Sequence, residues 1–108
     1  MKQYTLIASR DPFESRQAGR YLELAADLKA EGNEVTVFLV QNGVMAARRS
    51  GASAALTDLS EKGVEILADS FSLRERSIRS RALADGVTPS ELDVVVDHLA
   101  AGRNVIWH

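Results

Sequence analysis

The stretch Gly63-Val64-Glu65-Ile66-Leu67-Ala68-Asp69-Ser70-Phe71-Ser72-Leu73-Arg74-Glu75-Arg76-Ser77-Ile78 decides the fold. Upstream, Ser53 to Lys62 has the composition of a short helix, and Gly63 ends it. Val64 to Ala68 is then a short apolar run broken only by Glu65, which predicts a third strand. Asp69 to Ser72 makes a polar loop, and Leu73 to Ala84 reads as a broken helix. A helix running into a strand, and the strand into another helix, is the repeating unit of an α/β sheet.

The same alternation extends in both directions. Tyr4 to Ala8 predicts strand one, stopped at Ser9-Arg10-Asp11-Pro12. Asp11-Pro12-Phe13-Glu14 has the order of a helix start, with Asp11 as cap, Pro12 at the first position and Glu14 reaching back. Ala18, Tyr21, Leu22, Ala25 and Leu28 then recur at helical spacing down to Gly32. Glu34 to Val40 is a nearly continuous apolar strand, as expected where helices cover both sheet faces. Gln41-Asn42-Gly43 turns the chain into a short helical stretch, Val44 to Ser50, broken at Gly51.

Near the end, Asp85-Gly86-Val87 predicts a very short strand, which the following proline confines to a sheet edge. Thr88-Pro89-Ser90-Glu91 repeats the capping logic of the first helix, and Leu92, Val95, Val96 and Leu99 supply an apolar stripe ending at Gly102. Asn104 to His108 closes as a last strand. Strands alternating with helices predict a mostly parallel sheet with helices on both faces. The 108 residues form one expected domain, with no internal repeat or linker.

Composition narrows the function classes. The formal charge of -2 lacks the basic excess of a general nucleic-acid binder. The longest apolar runs are too short to cross a bilayer, and no basic start leads into a long apolar stretch. We therefore expect no membrane partner and a cytoplasmic location. The absence of cysteine excludes disulfides, thiolate zinc sites and thiol redox relays. His98 and His108 are isolated, with no metal-ligand spacing, and neither G-x-G-x-x-G nor G-x-x-x-x-G-K-S/T occurs, so no cofactor and no metal are expected. One charge cluster stands out. Arg74, Arg76, Arg79 and Arg81 fall within eight residues, readable as a solvated face, an intersubunit strip or an anion site.

The quoted stretch resembles the DsrE/DsrF family of small sulfur-relay proteins, where a G-V-E-I-x-A strand runs into a C-x-x-C-L-x-x-R-x-I loop. Glu34-Val35-Thr36-Val37-Phe38-Leu39-Val40 followed by Asn42-Gly43-Val44, Arg76-Ser77-Ile78, and Asp85-Gly86-Val87 extend that resemblance in order over essentially the whole chain. It implies a DsrEFH-like three-layer α/β/α domain over residues 1–108, with a mostly parallel five-stranded sheet. Strand one would be central, flanked by strands two and five. It implies a homo-oligomer, often a trimer or hexamer. It places Asp69 and Ser72 where the family has thiols, and Gln41-Asn42 where it often has a glycine and an aspartate. A persulfide relay needs a thiolate as nucleophile and carrier, so sulfurtransferase activity is not expected here.

Parallel sheets bind ligands beyond the carboxyl ends of their strands. Under the implied topology, Asp11, Asn42, Asp69, Ser72 and His108 gather at that edge, and Arg74 can supply positive charge. These six are the candidate ligand-binding residues, with no catalytic residue assigned. Plainer roles compete: Asp11, Asp69 and Ser72 as helix caps, Asn42 as a turn residue, His98 as a boundary residue on its helix. Ser72 with His108 could form an activated serine only if the fold joins them. Three functional readings follow. The first is a non-catalytic homo-oligomer binding a small ligand, a small anion or a partner protein at this edge. The second is an enzyme with a rebuilt carboxylate acid/base site at Asp69 and Arg74 or Arg76 holding an anionic substrate. The third is an accessory subunit beside a related, cysteine-bearing chain. Phe71, Leu73 and Ile78 are the expected apolar anchors of the subunit interface.

Overall fold

The computed structural model describes residues 1–11, 14–50 and 53–108. Its strands are β1 (Gln3–Ala8), β2 (Glu34–Leu39), β3 (Glu65–Asp69), β4 (Val87–Ser90) and β5 (Asn104–Trp107), and its α-helices are α1 (Arg16–Ala30), α2 (Ala54–Glu61), α3 (Ser70–Glu75) and α4 (Asp93–Ala100). The strands form one five-stranded sheet in the order β4-β3-β2-β1-β5. Every pairing is parallel. β1 lies between β2 and β5 as the resemblance implied, but the middle strand is β2, whose apolar run is almost fully buried.

The two sheet faces are covered unequally. Leu6, Val37, Leu39 and Ile66 point to the face carrying α1, α2 and the 3-10 turn Gln41–Ala47, where Leu22, Ala25, Val44, Leu56 and Leu59 complete the larger core. Ile7, Phe38, Val40 and Leu67 alternate to the other face, where Val95 of α4 supplies the buried cover. Alternation along a strand and helical spacing above it fix both sets.

Three local expectations are corrected. α1 begins at Arg16, with Ser15 as cap accepting from the Ala18 amide at 3.3 Å, so Asp11 is not the cap. The capping positions Pro12 and Phe13 and the break at Gly51 lie outside the described residues. Thr88 and Pro89 do not open a helix. They sit inside β4, with Pro89 opposite Ala68, because ladder pairing to β3 outweighs a local capping pattern; the strand is an edge, where a proline is tolerated. Finally, the stripe on α4 is mostly not core: Leu92, Val96 and Leu99 are each more than half exposed.

Candidate functional site

At the carboxyl edge, Asp69 ends β3 and caps α3, an extended residue whose side chain turns back onto the next turn. Its Oδ2 accepts from the Ser72 amide at 3.0 Å and from the Ser72 hydroxyl at 2.7 Å. Ser72 Oγ in turn accepts from the Gln41 amide at 2.8 Å. Gln41 has φ +51, a left-handed conformation that a side chain disfavours, and this bond holds it there. Asn42 next to it accepts through Oδ1 from Arg76 Nη2 at 3.0 Å, while Arg76 Nη1 donates to the Ser72 carbonyl at 3.3 Å. One hydrogen-bonded chain thus joins the turn after β2 to the start of α3; the loop expected at Asp69 to Ser72 is the junction where β3 runs directly into that helix.

Asn42, Asp69 and Ser72 are therefore brought together, as expected. Of the two arginines expected here, Arg76 rather than Arg74 stands beside them. On an α-helix, residues two apart point to nearly opposite sides, and Arg74 accordingly lines a different groove, with Ser70, Ser77 and Arg79. His108 is also placed elsewhere. Its amide donates to the Ile7 carbonyl, and its carbonyl accepts from both the amide and hydroxyl of Ser9 at 2.9 Å. Its ring packs on Tyr21 of α1, centroids 5.1 Å apart, on the face opposite α4. The Tyr21 hydroxyl donates to the Ile106 carbonyl, and burial pushes its pKa up to about 12. The jump in strand order falls between β1 and β5, and these contacts close the chain on itself there. The Asp11 carbonyl accepts from the Glu14 amide at 3.0 Å.

In front of the Asp69–Ser72 pair lies a cleft of about 450 Å³. Asn42 and Arg76 give it a polar wall, while Phe71, Leu92 and Trp107 give it an exposed apolar rim. Sequence reading missed Leu92 and Trp107, since only the tertiary fold brings α4 and β5 to the start of α3. Leu73 and Ile78, expected as interface anchors, are instead buried in the chain's own core, leaving Phe71 exposed.

The Asp69–Ser72 pair is committed to hydrogen bonds within the chain. Ser72 is 4% exposed, and its hydroxyl already donates to one partner and accepts from another. Neither histidine reaches it: His108 packs on Tyr21, and His98 bonds Thr5 near the start of β1. Among the described residues, no group of three or more acidic or histidine side chains could hold a metal ion. No helix among them is long and apolar enough to cross a membrane.

Comparison with known proteins places the chain in a family. The model of the DsrE/DsrF-like family matches residues 2–108, and the chain belongs to that family. The ychN protein from E. coli superposes with a TM-score of 0.90 at 20% identity, over 100% of both chains. MTH1491, a protein of unknown function from Methanobacterium thermoautotrophicum, gives 0.88 at 21% identity, again over 100% of both chains. BT1422, a conserved protein of unknown function from Bacteroides thetaiotaomicron, gives 0.83 at 13% identity over 99% of this chain and 95% of its own. These likenesses establish the fold. A search of curated proteins finds no match.

Proposed function

We propose that this chain is a non-catalytic member of its family, a homo-oligomer that uses the carboxyl-edge cleft to hold a partner chain or a small ligand. The observation that carries this reading is the closed Asp69–Ser72–Gln41 relay. The two residues standing where the resemblance places thiols are buried and spent on capping and on bracing a strained turn. Around them Phe71, Leu92 and Trp107 stay more than half exposed, joined along α4 by Val96 and Leu99. Contiguous exposed apolar side chains beside polar groups are characteristic of an interaction surface.

The chain's one tryptophan lies in this cleft, so occupancy is directly visible. Light scattering at micromolar concentration should give a multiple of the 11.8 kDa chain mass, with Trp107 emission shifted to the blue relative to a dissociated Val96→Asp variant. A monomer with fully solvated Trp107 emission would overturn the homo-oligomer. The same exposed rim also suits the accessory reading, in which a related chain covers it; a monomer that assembles only with such a chain would establish that instead.

A further inference from the structure

The arginine cluster divides at α3. Arg76 is engaged by Asn42 and Ser72 in the cleft already described, and Glu75 lines the same cleft. Arg74 and Arg79 lie on the other side. Among the described residues, neither of their side chains makes a hydrogen bond or an ion pair. Both line a groove of about 570 Å³, shared with the hydroxyl-bearing Ser70, Ser77 and Ser80 and walled by Pro89 of β4; no carboxylate lines it. In a chain with 15 acidic residues against 13 basic ones, a pocket with two guanidinium groups and no acid is an uncompensated concentration of positive charge.

The backbone beneath is fixed. Leu73 and Ile78 are buried on either side of the turn, and the amides of Arg76 and Ile78 both donate to the Leu73 carbonyl, at 3.2 and 2.9 Å. Ser77 between them has φ +55, which turns the chain so that Arg79 comes back to the groove that Arg74 borders. The arginines thus project from an anchored turn rather than from a loose loop.

We propose that this groove binds the phosphate or sulfate group of a small monoester. Guanidinium groups match the oxygen geometry of these anions and bind them in bidentate fashion, and the serine hydroxyls add donors. The cavity falls in the range of small-molecule sites, about 300–1,000 Å³, with room beside Pro89 for the organic part. This site goes beyond the reading above, because it lies across α3 from the cleft and needs neither Arg76 nor Trp107.

The test is a nuclear magnetic resonance titration of the amide signals with inorganic phosphate, sulfate, glycerol 3-phosphate and glycerol. Glycerol 3-phosphate should shift the Ser77 and Ser80 amides and bind more tightly than inorganic phosphate, while glycerol alone leaves them unmoved. Arg74→Ala and Arg79→Ala should each weaken binding about tenfold, and Arg81→Ala, which removes the same charge outside the groove, less than about twofold. Three results would overturn the assignment: no saturable shift with any anion, an equal loss from Arg81→Ala, or inorganic phosphate binding as tightly as the monoester.

Discussion

The hydroxyl of Thr5, fully buried in β1, lies 2.8 Å from Nδ1 of His98 on α4. Arg103 Nη1 faces the other ring nitrogen at 3.3 Å, and its Nη2 donates to the Tyr4 carbonyl at the same distance. A guanidinium can only donate, so Nε2 must accept and the imidazole is neutral, with its proton on Nδ1 toward Thr5. This bridge ties α4 to the sheet where Val95 is the helix's one buried apolar side chain.

Stability should therefore depend on pH through His98. Burial first, then the Arg103 charge, hold its pKa below the ordinary 6.5, against smaller opposing contributions from Glu65 and Asp97. The unfolded chain then takes up the proton before the folded one does. The contribution of His98 is complete above pH 6.5 and is lost as pH falls from there through the lowered folded value. Urea unfolding between about pH 5 and 8 should show this decline, and His98→Gln should flatten it; identical pH slopes in the two proteins would refute the bridge.

Asp69→Ala should destabilise by about 2 kcal/mol, combining a lost helix cap with the Ser72 donors left without their acceptor. Asp69→Asn keeps an acceptor at the same place and should cost about half as much. Ser72→Ala should also destabilise, because it strips the Gln41 amide of its partner. Denaturant midpoints measure all three. If Asp69→Ala were neutral, the relay would not be holding this edge together.

Gly43→Ala should be among the most damaging small substitutions. An added Cβ would stand 2.1 Å from the Ala8 carbonyl oxygen, which is backbone in the interior strand β1 and cannot swing aside. That carbonyl also accepts from the Val40 amide at 3.0 Å. We expect a loss of about 3 kcal/mol or more, visible as a large fall in thermal midpoint. A midpoint within a degree or two of the parent would show that the turn and β1 can separate without cost.

Incubation with polysulfide or a persulfide donor should leave the protein mass unchanged. No thiol is present to accept sulfane sulfur, and a carboxylate or a hydroxyl cannot carry it. Intact-mass spectrometry reads the result; covalent gain of a sulfur atom at Asp69 or Ser72 would contradict this chemistry.

The chain's local order settled a good deal of this architecture. Alternating apolar runs at Tyr4 to Ala8, Glu34 to Val40 and Val64 to Ala68 mark strands because side chains alternate across a sheet, and the intervening helical spacing demands parallel crossovers. That the chain holds no thiol, and so no acceptor for sulfane sulfur, also follows from residue identity alone. Other features depend on distances between segments far apart in sequence. Thr88-Pro89-Ser90-Glu91 satisfies the local rules of a helix cap, yet becomes an edge strand because β3 offers it a ladder. Leu92, Val96 and Leu99 have the spacing of a core-facing stripe, but only Val95 of α4 is buried, and the periodicity cannot say how deeply a helix will seat. The choice between Arg74 and Arg76 turned on which side of α3 each projects from, and the place of His108 on the Tyr21 face turned on strand alternation at β5. Sequence thus fixed which residues could serve a site at this edge, while tertiary packing decided which of them meet, because meeting requires chain segments dozens of residues apart to share one surface.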